Sequence, residues 1–515
     1  MGADTTQAAD ARAGASTPAP DGPIGVAFPE VDGTRSTSRT GREVLAAAAR
    51  TVDERLAQAL DGEREWRKRY PEHIRALVAA ELRAGDVGEA VPRAGLDALH
   101  ERFVFARDGA EQPLRESLAT PASELGTARV EGRQAPERSL SIPYRGRRLE
   151  GDALHRQLDA WVDAGTVEPS FAAAVRRVMA NPDWLDLSDR TIVVLGAGAE
   201  MGPVASLSAW GASLALVDLP RPGLWEHVLA TVRDGAGSAT VPLRHEVADT
   251  GDLDALAGAA GADLLTQTPE LAAWLRGVEG PATVGNYVYA DGADNVRVSM
   301  AADALTLELC ERDAETSLAM LVTPTDVYAA PEEAVLDAQR RFADTGRLPR
   351  LTRAVSGARL YAPNYAETVT TPEGRRYGIA DCLVAQQGPN YALAKRLHQW
   401  RARLAREQGH AVSVNVAPAT STRSVTKNRV LAAAYAGAPR FGVEVFEPAT
   451  SNSLMAALLV HDLRNPEAAG QPGAPLSHPL ALFADQAGHG GMWRNPFAPR
   501  SVLTLAALLG LVRRG

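Results

Sequence analysis

Residues 191–220 read TIVVLGAGAEMGPVASLSAWGASLALVDLP, and the fold class turns on how this stretch is parsed. A β-branched apolar run ends in glycines, small residues suited to a helix follow, and a second apolar run ends in Asp218. Strand, turn, helix and strand within about 30 residues predict a β-α-β unit, and with it an α/β fold built on a doubly wound parallel sheet. Gly196 permits the tight turn, Gly198 lets backbone approach a pyrophosphate, and Gly202 lets the helix pack on the strand. The N-terminus of that helix would offer free N–H groups and the positive end of its dipole to phosphates. Asp218, roughly 20 residues after the glycines, is placed to accept hydrogen bonds from an adenosine ribose. The stretch therefore predicts a nucleotide site made of Gly196, Ala197, Gly198, Glu200, Met201, Gly202, Asp218 and Leu219.

Working downstream, residues 239–259 read as strand, loop and helix, with Glu246 and Val247 at the loop. ADLLTQTPE (262–270) is expected as the fourth strand, 294–313 as a helix, and TSLAMLVTPTDVYAAP (316–331) as a fifth strand that turns polar at its end. Ligands collect at the carboxyl ends of parallel strands, so Thr323 and Thr325 are positioned to matter. NYALAKRLHQWRARLAREQGHAVSVNVAPATSTRSV (390–425) predicts a helix from about Tyr391, a turn at Gly409, a strand, and a loop rich in Thr and Ser.

Tyr391 and Lys395 lie one helical turn apart, on the same face. A free tyrosine has a pKa of about 10 and is a poor base at neutral pH. An ammonium nearby would favour the phenolate and equip the pair for proton transfer. On its own, the same spacing also describes a solvated surface pair.

Taken together, the glycine turn, the Tyr391-x-x-x-Lys395 pair and the later Asn415, Pro418 and Thr422 resemble the short-chain dehydrogenase/reductase superfamily, over about residues 188–460. The resemblance implies a Rossmann domain that binds NAD, with NADP as the alternative. It implies Tyr391 as acid/base, with Lys395 also holding the nicotinamide ribose, and Pro418, Thr420 and Thr422 beside the cofactor. It also implies a small carbonyl or secondary-alcohol substrate and a homo-oligomer. Several positions depart from the family pattern. Met201 stands where the commoner fingerprint has its third glycine, and Glu200 replaces a glycine near the phosphates. Pro324 replaces the serine of the extended branch, so Thr323 or Thr325 is expected to polarise the carbonyl. That extended branch supplies a second reading, an NAD-dependent epimerase or dehydratase. A third reading is a nucleotide-binding regulatory or scaffold protein without turnover.

The remaining features set bounds. A chain of 515 residues exceeds one simple core, and a net charge of -9 argues against nucleic acid or an anionic membrane as the main partner. Two cysteines, Cys310 and Cys382, form no disulfide framework and lack metal-site spacing, which fits a reducing, cytoplasmic compartment. The expected organisation is a disordered tail over 1–40, an additional α-helical N-terminal domain over 41–187, the Rossmann domain with an insertion at about 332–388, and a C-terminal extension over 461–515. VLTLAALLGLV (502–512) is too short to span a bilayer and is expected as a buried helix. Within the insertion, Tyr361, Tyr365 and Tyr377 are candidates to line a pocket. His489, flanked by glycines, reads as a loop over a ligand or as a structural turn.

Overall fold

The computed structural model describes residues 23–427 and 429–512. Its centre is a seven-stranded, mostly parallel sheet. In chain order the strands are β1 (Gly126–Glu131), β2 (Thr191–Leu195), β3 (Ser213–Val217), β4 (Ser238–Leu243), β5 (Ala282–Asn286) and β6 (Ser317–Val322). A separate three-stranded sheet contains β7 (Val327–Pro331), β8 (Thr368–Thr370) and β9 (Arg376–Asp381), and the central sheet closes with β10 (Val412–Val416). Across the central sheet the order is β10-β6-β5-β2-β3-β4-β1, parallel throughout except for the edge strand β1. The chain winds outward from β2 in one direction, then from β5 in the other. The two halves therefore diverge between β2 and β5, the place where open α/β sheets leave a crevice at their carboxyl ends.

The strands are apolar runs because both faces are covered. All five residues of β10 are buried, as are four of the five in β2 and in β3. One layer includes α2 (Ala293–Arg312) and α3 (Pro389–Glu407), and α4 (Pro448–Arg464) belongs to the other.

The segment 41–187 is not purely helical. It supplies β1 to the central sheet, and its helices share hydrophobic clusters with the sheet. A Cβ on Gly95 would lie 2.4 Å from the ring of Trp400, so only glycine lets helix Ala90–His100 come this close to α3. Buried ion pairs reinforce this docking. Asp303 on α2 accepts from Arg401 on α3 at 2.7 and 2.8 Å and from His100 at 2.7 Å, and Arg403 pairs with Glu81. These partners hold the Asp303 carboxyl below its usual range against the opposing effect of burial.

Several expectations need correction. Residues 262–270 form a turn and the start of helix Thr268–Leu275, and the fourth strand is ATVGN at 282–286. The apolar pair Leu264 and Leu265 misled the reading. Leu264 is buried in the core, and Leu265 uses its carbonyl to accept from Val26 of the first segment. Within the span read as a tail, residues 1–22 lie outside the described residues. Gly25–Ala27 pairs antiparallel with Val104–Ala106, and a helix begins at Thr37 under a Ser36 cap. The C-terminal helix Pro499–Val512 is only half-buried, with Leu508, Leu509, Leu511 and Val512 exposed. Its small residues face helix Arg429–Gly437 so closely that a Cβ on Gly510 would meet the Ala433 carbonyl. No described helix is long and apolar enough to cross a membrane.

Candidate functional site

The carboxyl ends of β2, β5, β6 and β10 bring two groups of predicted residues to one edge of the sheet. The first is the glycine turn. Gly196 has φ +92°, and a Cβ there would lie 3.0 Å from the Tyr287 carbonyl carbon just past β5, so glycine is needed at this position. The turn is largely closed on itself. The Gly196 and Ala197 amides donate to Val217 O, Ala199 donates to Gly196 O, and Gly202 donates to Ala199 O. Gly198 N–H donates to Asp218 Oδ2 at 2.7 Å, and Leu219 N–H donates to Asp218 Oδ1 at 2.7 Å. Burial raises the Asp218 carboxyl while these two amides lower it, with a net rise.

The turn departs from the expected fingerprint in two ways. Its helix, α1 (Val204–Ala209), begins only after Pro203 and has six residues, so it does not start directly at Gly198. Leu224 also lies over Gly198, where a Cβ would be 2.8 Å from the leucine side chain. Glu200 resolves its awkward position by pairing with Arg423 from the loop after β10. It accepts from Arg423 N at 2.7 Å and Nε at 2.8 Å. Met201 is half-buried against the second hydrophobic cluster. Glu246 is exposed and Val247 half-buried beyond the end of β4, two strands from the turn.

An implied dinucleotide meets a mixed set of groups here. Each Asp218 oxygen keeps a second lone pair for a ribose hydroxyl, so the ribose end fits. At the phosphate end, the Glu200 and Met201 amides have no hydrogen-bond partner among the described residues, and Arg423 supplies a cation beside them. These groups fit an anion, by contacts that differ from the family pattern.

The second group lies at the end of β6 and the start of α3. Gly388 caps α3 and Pro389 opens it, which sets Tyr391 in the first turn. The cap is anchored from the N-terminal segment, where the Tyr70 hydroxyl accepts from Gly388 N–H and donates to Val384 O. The hydroxyls of Thr323 and Thr325 are 2.9 Å apart, and both act on the Tyr391 phenol to lower its pKa. Burial outweighs them and holds the phenol well above its ordinary value. Lys395 Nζ lies 5.7 Å from the centroid of the Tyr391 ring. Its ammonium has no hydrogen-bond or ion-pair partner among the described residues, and burial brings its pKa down to about 8, with Asp326 acting the other way.

Sequence reasoning missed the groups that hold this cluster. Gln387 donates to Thr325 Oγ1 at 3.0 Å and to Thr325 O at 3.1 Å, which turns the threonine proton toward Thr323 or Tyr391. Asp326 accepts from Arg396 at 2.6 Å and from Gln399 at 2.9 Å, fastening the β6 loop to α3. Asn286 at the end of the true fourth strand faces His398 Nε2 at 3.4 Å, and burial lowers His398 to about 3, so it is neutral. The available signal was the i, i+4 row of Tyr391, Lys395 and Gln399, with Arg396 and His398 beside it on a helix that would otherwise read as a charged surface.

Other candidates are placed differently. Thr420 is buried, with its hydroxyl bonded to Pro418 O and Ser451 Oγ, so the loop it shares with Pro418 and Thr422 presents other atoms outward. Tyr377 bonds Ser477, and Tyr361 packs on Phe497. His489 is fully buried, stacks on Trp493, and bonds Glu168 at 2.9 Å, which makes it part of a structural turn.

The fold and the two groups define an open, doubly wound α/β protein with polar residues gathered at its strand ends. No family model, no curated protein and no solved structure matches the chain.

Proposed function

We propose that the protein is a nicotinamide-dependent oxidoreductase that reduces a carbonyl to a secondary alcohol, with Tyr391 as the proton donor. The observation that supports this most is the convergence of Thr323, Thr325, Tyr391 and Lys395 beside the strand-order switch of a β10-β6-β5-β2-β3-β4 sheet. A nicotinamide, when bound, supplies the hydride. The chain's own residues do the remainder. The phenol, held protonated by burial, has a proton to give as charge develops on the carbonyl oxygen. The threonine hydroxyls lie beside it and can polarise that oxygen. Lys395, with a pKa of about 8, is mostly cationic at pH 7 and offsets the charge left on the phenolate. Asp218 is the group that would select NAD, because a carboxylate binds a ribose diol and repels a 2′-phosphate.

The test is titration with NADH and NADPH, followed by nicotinamide oxidation against a panel of ketones and aldehydes. NADH should bind more tightly and be oxidised. Tighter NADPH binding would sink the assignment to Asp218, and binding without oxidation of either cofactor would sink the activity.

A further inference from the structure

The insertion between β6 and α3 builds a cavity that the proposed chemistry does not use. Helix Glu332–Ala343 and helix Arg347–Val355 form one side, and residues near Pro363 and Pro496 form the other. The cavity has a volume of about 350 Å³. That is near the lower end for small-molecule sites, which run from about 300 to 1,000 Å³. Its walls are mixed, with the Phe342 and Tyr365 rings and the two prolines beside the polar Gln339 and Asn364. The Tyr365 hydroxyl is engaged with Trp493 O, so only its ring faces a ligand. Arg353 is the one charged residue on the lining.

Arg353 packs over an aromatic ring of the same cavity. Its guanidinium lies 5.5 Å from the centroid of Phe342. Its Nε is buried with no hydrogen-bond partner, and no carboxylate pairs with it among the described residues. Elsewhere in the insertion, Arg340, Arg341 and Arg376 have acidic partners, whereas Arg347, Arg350, Arg359 and Arg375, like Arg353, have none among the described residues. The two Nη groups of Arg353, which donate to no described residue, can instead receive a carboxylate through two parallel hydrogen bonds. A phosphate or sulfate would call for further donors, and no second cation lines the cavity.

We propose that this cavity binds a small monocarboxylate with an apolar body, its carboxylate on Arg353 and its hydrocarbon against Phe342, Tyr365 and Pro496. The site is separate from Tyr391. A layer of rings stands between them: Tyr365 bonds Trp493, Trp493 packs 5.6 Å from Tyr328, and the Tyr328 hydroxyl donates to Thr323 O. The same layer gives the cavity a physical connection to the β6 loop.

The test is calorimetric titration of the full chain, without nucleotide, using benzoate and hexanoate as probes and benzyl alcohol and benzylamine as controls. Benzoate should bind at least about tenfold more tightly than benzyl alcohol, the scale of one charge-assisted pair. Binding should be lost in Arg353→Gln and partly kept in Arg353→Lys. It should also be lost in Ala366→Phe, whose ring would fill the cavity, with circular dichroism confirming that each variant is folded. Equal binding of benzoate and benzyl alcohol, parent-like binding in Arg353→Gln, or no heat with either carboxylate would overturn the proposal. Loss of benzoate binding in Tyr391→Phe would move the ligand to the β6–α3 cluster and overturn the separate site. Because no nucleotide is present, these outcomes are independent of whether the protein is an oxidoreductase.

Discussion

The glycine turn and the start of α3 sit on the same edge of one sheet, yet they treat their polar groups in opposite ways. In the turn, the amides of Gly196, Ala197, Gly198, Ala199 and Gly202 all have protein acceptors, and Glu200 has Arg423. At the start of α3, Lys395 has no such partner and a tyrosine is held protonated by burial. A turn braced in this way is a rigid support, with the Glu200 and Met201 amides left open among the described residues. An unpaired, half-buried ammonium lowers stability, and it persists where surrounding packing enforces it, which is a mark of functional positions. The contrast shows that the motif most familiar from sequence is the more self-contained of the two regions.

The largest expected effect comes from breaking the open region. Tyr391→Phe should lower turnover by about 10²-fold or more while leaving nucleotide affinity nearly unchanged, since only the hydroxyl is removed. Parallel measurement of kcat and nucleotide Kd checks this, and parent-like turnover would make the cluster structural.

The closed region can be broken by Gly198→Val. The new Cβ would press on Leu224 at 2.8 Å. A loss of stability on the order of 1–3 kcal/mol is expected from overpacking, together with loss of nucleotide binding. Leu224→Ala in the same chain should restore stability. If it also restores binding, the phosphates do not approach over Gly198.

Lys395→Met sharpens the comparison through pH. Burial lowers Lys395 from 10.5 to about 8, so the unfolded chain holds this proton more tightly than the folded one does between those values. Stability from this residue is therefore lost as pH falls from about 10.5 to 8, and remains lost at pH 7. Lys395→Met should raise stability at pH 7, by at most about 3 kcal/mol, with the gain shrinking above pH 8. Urea melts at pH 7 and pH 9.5 would show it, and a variant that is less stable than the parent at pH 7 would contradict it.

The smallest effect is expected from Glu200→Gln. Its partner Arg423 is largely exposed, so stability should change by less than about 1 kcal/mol. Nucleotide binding should tighten, because a carboxylate is removed beside the phosphate end and Arg423 is released. Weaker binding would show that the pair organises the turn.

The sequence by itself determined the central β-α-β unit, the sixth parallel strand, the one-turn spacing of Tyr391 and Lys395, and the first part of the fifth strand, which ends at Val322 while Val327–Pro331, read as its continuation, joins a separate sheet. These are local properties: glycine spacing, β-branched runs with both faces apolar, and residues four apart on a helix. It did not determine the fourth strand, because ATVGN is short and carries little of the periodicity that Leu264 and Leu265 advertise nearby. Nor did it determine that β1 joins the sheet from the N-terminal segment, that Asp218 turns back to hold Gly198, or that Arg423 reaches Glu200 across 223 residues. Only tertiary structure decided whether each charge was solvated, paired or isolated. The difference is plain in Lys395 and Arg353, whose partners, or lack of them, depend on which surfaces the packed layers remove from water.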